Sequence, residues 1–487
     1  MNIIKTAKNY AKKIIGKENF EFVNHAKNYM TAEFFSKGLV FISIPIFTRL
    51  MSPEEYGVLS IFLSIISIAT IIFSLNFHGA INRYYHEEIK NMGEFITSNL
   101  SFIFLFNIIL FIIIYIYRIK FSKFINISVN VFTFAIIISI LNIPVQMFLS
   151  YLQTSKQSKK YFQLTIYKNI STLLLSVLWI YLLNDSRYMG RVYGQFVIYL
   201  IFLLIVLYKF FKIGKKRIRI KYIKYSLNFG LPLIPHALSG ILLSYFDRLA
   251  INQLVGPMNT GLYSFAYNVG MIMNVIVMAM NKAWVPIFYD KFKKNDYSSI
   301  DNIVKKYSKY IYISSIFLIF FSREIVMIIA DKNYYDSLSI VPIIILSYVL
   351  VFFYTLFSNY SFYRKKTFLI SIATLGAGLI NIVLNYYFIP KYGYEAAAYT
   401  TLVSYSFLAI FHFINVKFVL KERMLIVKPL MLDFIYVIFI YSIYLYLIYN
   451  ISNILFLFFI KICLFIISIC YLFFKTIKSF YYSQKTP

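Results

Sequence analysis

The chain has 487 residues, 60% of them hydrophobic and only 14% charged. Soluble domains carry about a quarter charged residues, so this composition excludes an ordinary water-soluble fold. The formal net charge is +30, yet most Lys and Arg lie between long apolar runs and no nucleic-acid motif accompanies them. The positive-inside arrangement of a membrane protein therefore accounts for the excess, and no nucleic-acid partner is expected.

Residues 1–27 come first. Ile3, Ile4, Ala7, Tyr10, Ala11, Ile14 and Ile15 recur at helical spacing, with Lys5, Lys8, Lys12 and Lys13 between them. There is no apolar core or small-residue cleavage site of a secretory leader. The pattern predicts an amphipathic helix lying on the cytoplasmic membrane face. Apolar runs long enough to cross a bilayer follow, and in lipid such runs must become helices to satisfy their own backbone. The alternation of a membrane barrel is absent. Spans are predicted near 30–50, 57–77, 97–117, 130–152, 164–183 and 190–208. After the basic loop Lys209–Lys224 come 226–250, 259–282, 308–330, 338–360, 368–389 and 395–416, then 431–449 and 452–474. Lys and Arg fall mainly on the side that holds the N-terminus, so both termini are expected in the cytoplasm.

An internal repeat organises these spans. Leu50, Pro53, Gly57 and Ser60 align without gaps to Leu254, Pro257, Gly261 and Ser264. Both junctions read as a helix end, a tight turn with Pro, and a new helix; Pro suits a first helical turn because its missing N–H would be unpaired there. A weaker echo aligns Phe162–Leu183 with Phe368–Ile389. The expected fold is an all-α membrane protein of about fourteen transmembrane helices. Two parallel six-helix halves surround a central cavity, and two C-terminal helices are added. The expected organisation is a cytoplasmic segment 1–27, a first half 28–208, a basic linker 209–225, a second half 226–416, two additional helices 417–474, and a cytoplasmic tail 475–487.

Ionisable residues inside spans are costly and mark cavities or partners. Glu33 and Lys37 stand four apart on span one, either as a local pair or with Lys37 as a cation at a cavity wall. His78 and Lys282 hold equivalent repeat positions, and Arg83 follows His78 by about one turn. Together they suggest a basic cavity mouth suited to pyrophosphate; the competing reading is snorkelling at the interface. Asp247 and Arg248 lie near the outer end of span seven, as an interface anchor or as site residues. His236 lies deeper in that span, as a buried structural histidine or a proton site, and Pro232 and Pro235 would kink the helix. Lys37, His78, Arg83, Lys282, Arg248 and Asp247 are the substrate-binding candidates; Glu33 and His236 are the coupling candidates. Arg323 and Glu324 are expected to mark the outer end of span nine. Asn381 and Asn385 share a helix face and can hydrogen-bond a sugar or another helix. Gly376 and Gly378 suit close helix packing, and Cys463 and Cys470 suit small apolar packing positions. No Walker loop, metal-ligand cluster or Ser/His/Asp set is present. No catalytic residue, metal or cofactor is therefore expected, and a proton or sodium gradient is the energy source left open.

The segment Phe47-Thr48-Arg49-Leu50-Met51-Ser52-Pro53-Glu54-Glu55-Tyr56-Gly57 resembles the opening signature of the Wzx-type polysaccharide-biosynthesis flippases. Asp247-Arg248 before Leu254–Gly261, and Gly393-Tyr394-Glu395-Ala396-Ala397-Ala398, are similar to later parts of that family. The resemblance implies a fourteen-helix fold of the superfamily that includes MATE-type drug exporters and lipid II flippases. It implies movement of an undecaprenyl-pyrophosphate-linked oligosaccharide across the bacterial plasma (inner) membrane for O-antigen or capsule assembly. It also implies a cationic lumen, and a polysaccharide polymerase and chain-length regulator as protein partners. The alternatives are a lipid II flippase, or a drug exporter, which would favour acids deep in the spans. A membrane glycosyltransferase or polymerase is disfavoured because no outside segment is long enough to form a site.

Overall fold

The computed structural model describes residues 17–214 and 217–483. Among them the regular structure is entirely helical. Twelve helices are long and apolar enough to cross a membrane, or fourteen if each of two bent pairs is one span. The chain divides into two compact units, residues 1–241 and 242–487.

In unit 1, α1 (Lys17–Leu50) and α2 (Pro53–Ser74) are followed by a short α3 (Phe77–Glu87). Then come α4 (Met92–Ile116), α5 (Arg118–Ile125), α6 (Val129–Thr154), α7 (Ser158–Leu182) and α8 (Tyr188–Ile213). The amphipathic segment predicted over residues 1–27 lies largely outside the described residues; from Lys17 the chain is already in α1. The flippase-like signature folds as a capped corner. Ser52 accepts from the Glu55 amide, the Glu55 carboxylate accepts from the Ser52 amide, and Pro53 opens α2. This reciprocal cap satisfies donors that a helix start otherwise leaves unpaired. The Glu55 carboxylate also accepts the Arg187 amide, and the Arg187 guanidinium reaches the Leu50 carbonyl at 3.0 Å. The signature thus ties the α1–α2 corner to the start of α8.

The close approach of α7 and α8 comes from Gly190 and Gly194. A Cβ on Gly190 would sit 2.4 Å from the Ile180 amide nitrogen, and one on Gly194 would sit 2.7 Å from that of Ser176. Small residues one turn apart let two backbones meet in this way. The glycines chosen from sequence, Gly376 and Gly378, meet no neighbouring backbone: a Cβ on Gly378 would touch nothing, and one on Gly376 only the Phe407 ring. Beyond the basic linker, α9 (Ile220–Gly230) packs on α3 and α4. Tyr222 and Tyr225 meet the Tyr84 and Phe95 rings, and Arg219 pairs with Glu94 at 2.8 Å.

The unit boundary falls inside α10 (Ile234–Val255). In unit 2, α11 (Pro257–Lys293) and α12 (Tyr297–Phe320) lead to α13 (Ser322–Ile329), bent 61° from α12. Next are α14 (Val341–Tyr363), α15 (Phe368–Tyr392) and α16 (Glu395–Ile414), then α17 (Val427–Asn450) and α18 (Ile454–Ser483). α14 is almost wholly buried and packs on α11 and α16, so the core of this unit sits along it. The two units repeat one packing scheme. In unit 1, α2 and α8 pack on α6, while α7 packs on both α1 and α8; in unit 2, α11 and α16 pack on α14, while α15 packs on α16. α15 also hydrogen-bonds α10, where the Tyr386 hydroxyl donates to Gln253 Oε1 at 2.7 Å.

The additional helices attach to α12 and α13. The Tyr312 hydroxyl donates to the Leu430 carbonyl at 2.8 Å, and Lys461, whose side chain is fully buried, pairs with Glu324 at 2.9 Å. The helix break at Phe321 and this pair explain why Arg323 and Glu324 sit where span nine was expected to end. Cys463 and Cys470 are free thiols and are exposed, a correction to the packing role expected of them.

Candidate functional site

The polar centre of unit 2 forms where α10, α15 and α16 meet. Asp247 on α10 is fully buried. Its carboxylate accepts hydrogen bonds from the Tyr263 hydroxyl at 2.6 Å, Asn385 Nδ2 at 2.6 Å and the Thr401 hydroxyl at 2.8 Å. Asn385 also donates to Asn381 Oδ1 at 3.1 Å, and the Thr400 hydroxyl donates to Asn385 Oδ1. Asn381 and Asn385 share a face because they stand four apart on α15; Thr400 and Thr401 lie in the second turn of α16, just after the Gly393–Ala398 stretch. Asn381, Asn385, Thr400 and Thr401 are all buried.

A carboxylate removed from water is costly unless its lone pairs are satisfied. Three neutral donors satisfy them here, and among the described residues Asp247 makes no ion pair. The surrounding oxygens come from a carboxylate, amides and hydroxyls, the donor type that suits a hard monovalent cation, while a proton would neutralise the carboxylate directly. Among the described residues no cluster of three or more His, Cys, Asp or Glu exists, so the transition-metal chemistry of such clusters has no ligands here.

Arg248, the next residue, is also buried but is directed elsewhere. Its guanidinium lies 5.0 Å from the Tyr245 ring centroid and 4.9 Å from that of Tyr267, and Nη1 donates to the Ser244 carbonyl at 3.3 Å. Among the described residues Nε has no hydrogen-bond partner. Tyr267 in turn contacts Tyr263 and Tyr348, and Tyr348 contacts Tyr405. The interface-anchor reading of Asp247 and Arg248 is corrected: both sit inside the unit.

The remaining candidates lie on α1, α3, α10 and α11. Lys37 pairs with Glu33 at 3.4 Å, both side chains half-exposed, as the local-pair reading expects. Arg83 is exposed and donates to Glu87 at 2.8 Å, so its charge is compensated locally. His78 is partly buried in α3, and among the described residues its Nδ1 has no hydrogen-bond partner. Lys282 is exposed on α11. His236 is exposed, a correction to the buried histidine expected from its depth in span seven. Tyr263 and Thr401 escaped notice in the sequence, since a Tyr or Thr in a span carries no signal without its partner. Asp247, as a charge within a span, and the Asn381–Asn385 spacing were the traces of this cluster.

A family of polysaccharide biosynthesis proteins matches residues 25–292, more than half of the chain. An Lsg-locus protein of Haemophilus influenzae is 25% identical over 359 residues, spanning 70% of this chain and 85% of its own. A second Haemophilus influenzae membrane protein is 20% identical over 348 residues, spanning 70% and 83%. Among solved structures, the lipid II flippase MurJ in an inward closed conformation aligns with a TM-score of 0.73 and 16% identity, covering 94% of this chain and 99% of that one. An inward-facing multidrug resistance MATE transporter aligns at 0.63 with 15% identity, covering 78% and 93%. At these identities the structural matches establish a shared fold.

Proposed function

We propose, from the premise that the chain belongs to the polysaccharide biosynthesis protein family, that it is an ion-coupled flippase. In this reading it moves an undecaprenyl-pyrophosphate-linked oligosaccharide repeat unit from the inner to the outer leaflet of the bacterial plasma membrane. Both termini are cytoplasmic, and the units feed a surface polysaccharide such as O-antigen or capsule. The observation that carries the coupling is Asp247, a fully buried carboxylate held only by neutral donors from three helices. Such a group changes its interactions with the surrounding helices when a cation arrives or leaves, and a gradient can bias a conformational equilibrium only through that kind of differential binding. Asp247 therefore takes the coupling role in preference to Glu33, which pairs with Lys37, and to the exposed His236. Sodium would be held by Asp247 with the Asn385 and Thr401 oxygens; a proton would sit on Asp247 itself. Lys37 and His78 in unit 1, and Arg248 and Lys282 in unit 2, are the candidate groups for the anionic cargo.

The test is translocation in proteoliposomes. A fluorescently labelled undecaprenyl-pyrophosphate oligosaccharide is quenched from outside while a sodium or proton gradient is imposed. The reading expects gradient-dependent movement by the wild type and none by Asp247→Asn. Movement of a labelled drug cation but not of the glycolipid would favour an exporter, and movement of lipid II alone would shift the cargo to the cell-wall precursor.

A further inference from the structure

Unit 1 contains the counterpart of the Asp247 site with its charge inverted. Residues 188–195 align without gaps to 394–401 and keep Tyr188 over Tyr394 and Tyr193 over Tyr399. In this register Arg191 replaces Ala397. The α1–α2 and α10–α11 corners align Ser43 with Asp247, so the acid is lost where the arginine is gained. The echo between α7 and α15 places Leu175 and Trp179 where unit 2 has Asn381 and Asn385. Helices α1, α7 and α8 thus align with α10, α15 and α16, but the carboxylate and both asparagine amides are lost, and Gln195 stands where unit 2 has Thr401.

A cleft of about 290 Å³ opens at that point. Lys37 and Arg191 line it together with Ser43, Asn169 and Thr172; no carboxylate lines it, although Glu33, outside the lining, pairs with Lys37 at 3.4 Å. The Arg191 guanidinium has neutral partners only: the Ser176 hydroxyl at 3.1 Å, the Thr172 carbonyl at 3.4 Å, and the Phe47 ring, whose centroid is 5.6 Å away. Its Nε is buried without a hydrogen-bond partner, and among the described residues Arg191 makes no ion pair. Lys168 adds a third cation nearby, with Nζ 4.7 Å from the centroid of the lining Tyr199. An arginine within a span lacking any carboxylate partner is costly. A guanidinium fork beside a lysine is the arrangement that recognises phosphate oxygens. Ligand pockets run from about 300 to 1,000 Å³, so this cleft fits a phosphate or pyrophosphate group and not a whole oligosaccharide.

We propose that the cleft between α1, α7 and α8 is a phosphate-binding site in which Arg191 and Lys37 supply the charge. The group it takes is the pyrophosphate of an isoprenoid-linked cargo, and this choice of source over a phospholipid headgroup rests on the flippase reading above. The two units then use one inherited three-helix position for opposite tasks, a cation in unit 2 and an anion in unit 1.

Binding to the purified full-length chain in detergent tests this, with farnesyl pyrophosphate as probe, farnesol as the phosphate-free control and phosphatidylglycerol as the headgroup probe. The expected result is saturable binding of farnesyl pyrophosphate but not farnesol, weakened about tenfold or more in Arg191→Gln and in Lys37→Gln. Lys37 is half-exposed, so its variant folds even where the arginine variant fails. If phosphatidylglycerol binding alone depends on both residues, the phosphate site stands with a membrane lipid as its source, and the flippase reading gains nothing from it. Wild-type affinity for both phosphate probes in both variants, or no binding by the wild type, overturns the site while leaving glycolipid translocation to be judged by its own assay.

Discussion

Asp247 concentrates the account at the scale of single residues. Its charge is tolerated because Tyr263, Asn385 and Thr401 each donate to it. Thr401→Ala removes one of these bonds and leaves a lone pair unsatisfied, a loss of about 1–3 kcal/mol. Thermal unfolding of the purified variant should show a lower midpoint, and cation stimulation of transport should require about tenfold more cation. Unchanged cation dependence would remove Thr401 from the coupling site. Lys461 and Glu324 give a second expectation. Lys461→Met leaves Glu324 without its cation and should destabilise the fold by roughly 3–5 kcal/mol, whereas adding Glu324→Gln should restore most of the midpoint. A single variant as stable as the wild type would contradict a structural role for the pair. The sequence marks Asp247 and Glu324 as charges in or near spans, because hydropathy makes any charge there conspicuous. It does not mark their partners, which lie 16 to 154 residues away in the chain and are ordinary Tyr, Thr, Asn and Lys.

Among the elements, the helices were legible in sequence because a bilayer demands long apolar runs and leaves only helices as a solution. Which helix faces meet was not. Gly376 and Gly378 look as suited to close packing as Gly190 and Gly194, yet only the latter pair brings a neighbouring backbone within reach of a Cβ. Periodicity locates a face without naming what covers it, and for the same reason the exposure of His236, Cys463 and Cys470 could not be read. Gly190→Val and Gly194→Val should each force α7 from α8 and lower the unfolding midpoint, at a cost of about 1–3 kcal/mol or more. Gly378→Ala, where a Cβ meets nothing, should keep the midpoint or raise it slightly, because alanine favours a helix over glycine. Equal effects at all three positions would refute the assigned contact. At the α1–α2 corner, Ser52→Ala removes one half of the reciprocal cap and should cost about 1 kcal/mol. Because Glu55 also holds the Arg187 amide, Glu55→Ala should cost more than Ser52→Ala in the same melt. The flippase-like signature thereby acquires a structural reason for its form, and no substrate contact is needed to explain it.

At the scale of the whole molecule, the repeat seen in sequence corresponds to two units with the same internal packing scheme. The repeated corners at Pro53 and Pro257 were enough to reveal it, because a turn that opens a helix constrains its residue types more tightly than the lipid-facing spans do. The divergence between the units, an aspartate in one and an arginine in the other, lies in spans whose sequences are otherwise too uniform in apolar residues to draw the eye to it. The central claim is that the molecule moves a lipid-linked saccharide between leaflets, and it is tested most directly in cells that lack the gene. Lipid-linked saccharides are extracted, their glycans analysed, and their leaflet determined by accessibility to an impermeant enzyme. The account predicts that a complete repeat unit accumulates on the cytoplasmic leaflet while surface polymer is lost, and that both revert when the gene is restored. Accumulation on the outer leaflet, or normal polymer with no precursor build-up, would contradict it.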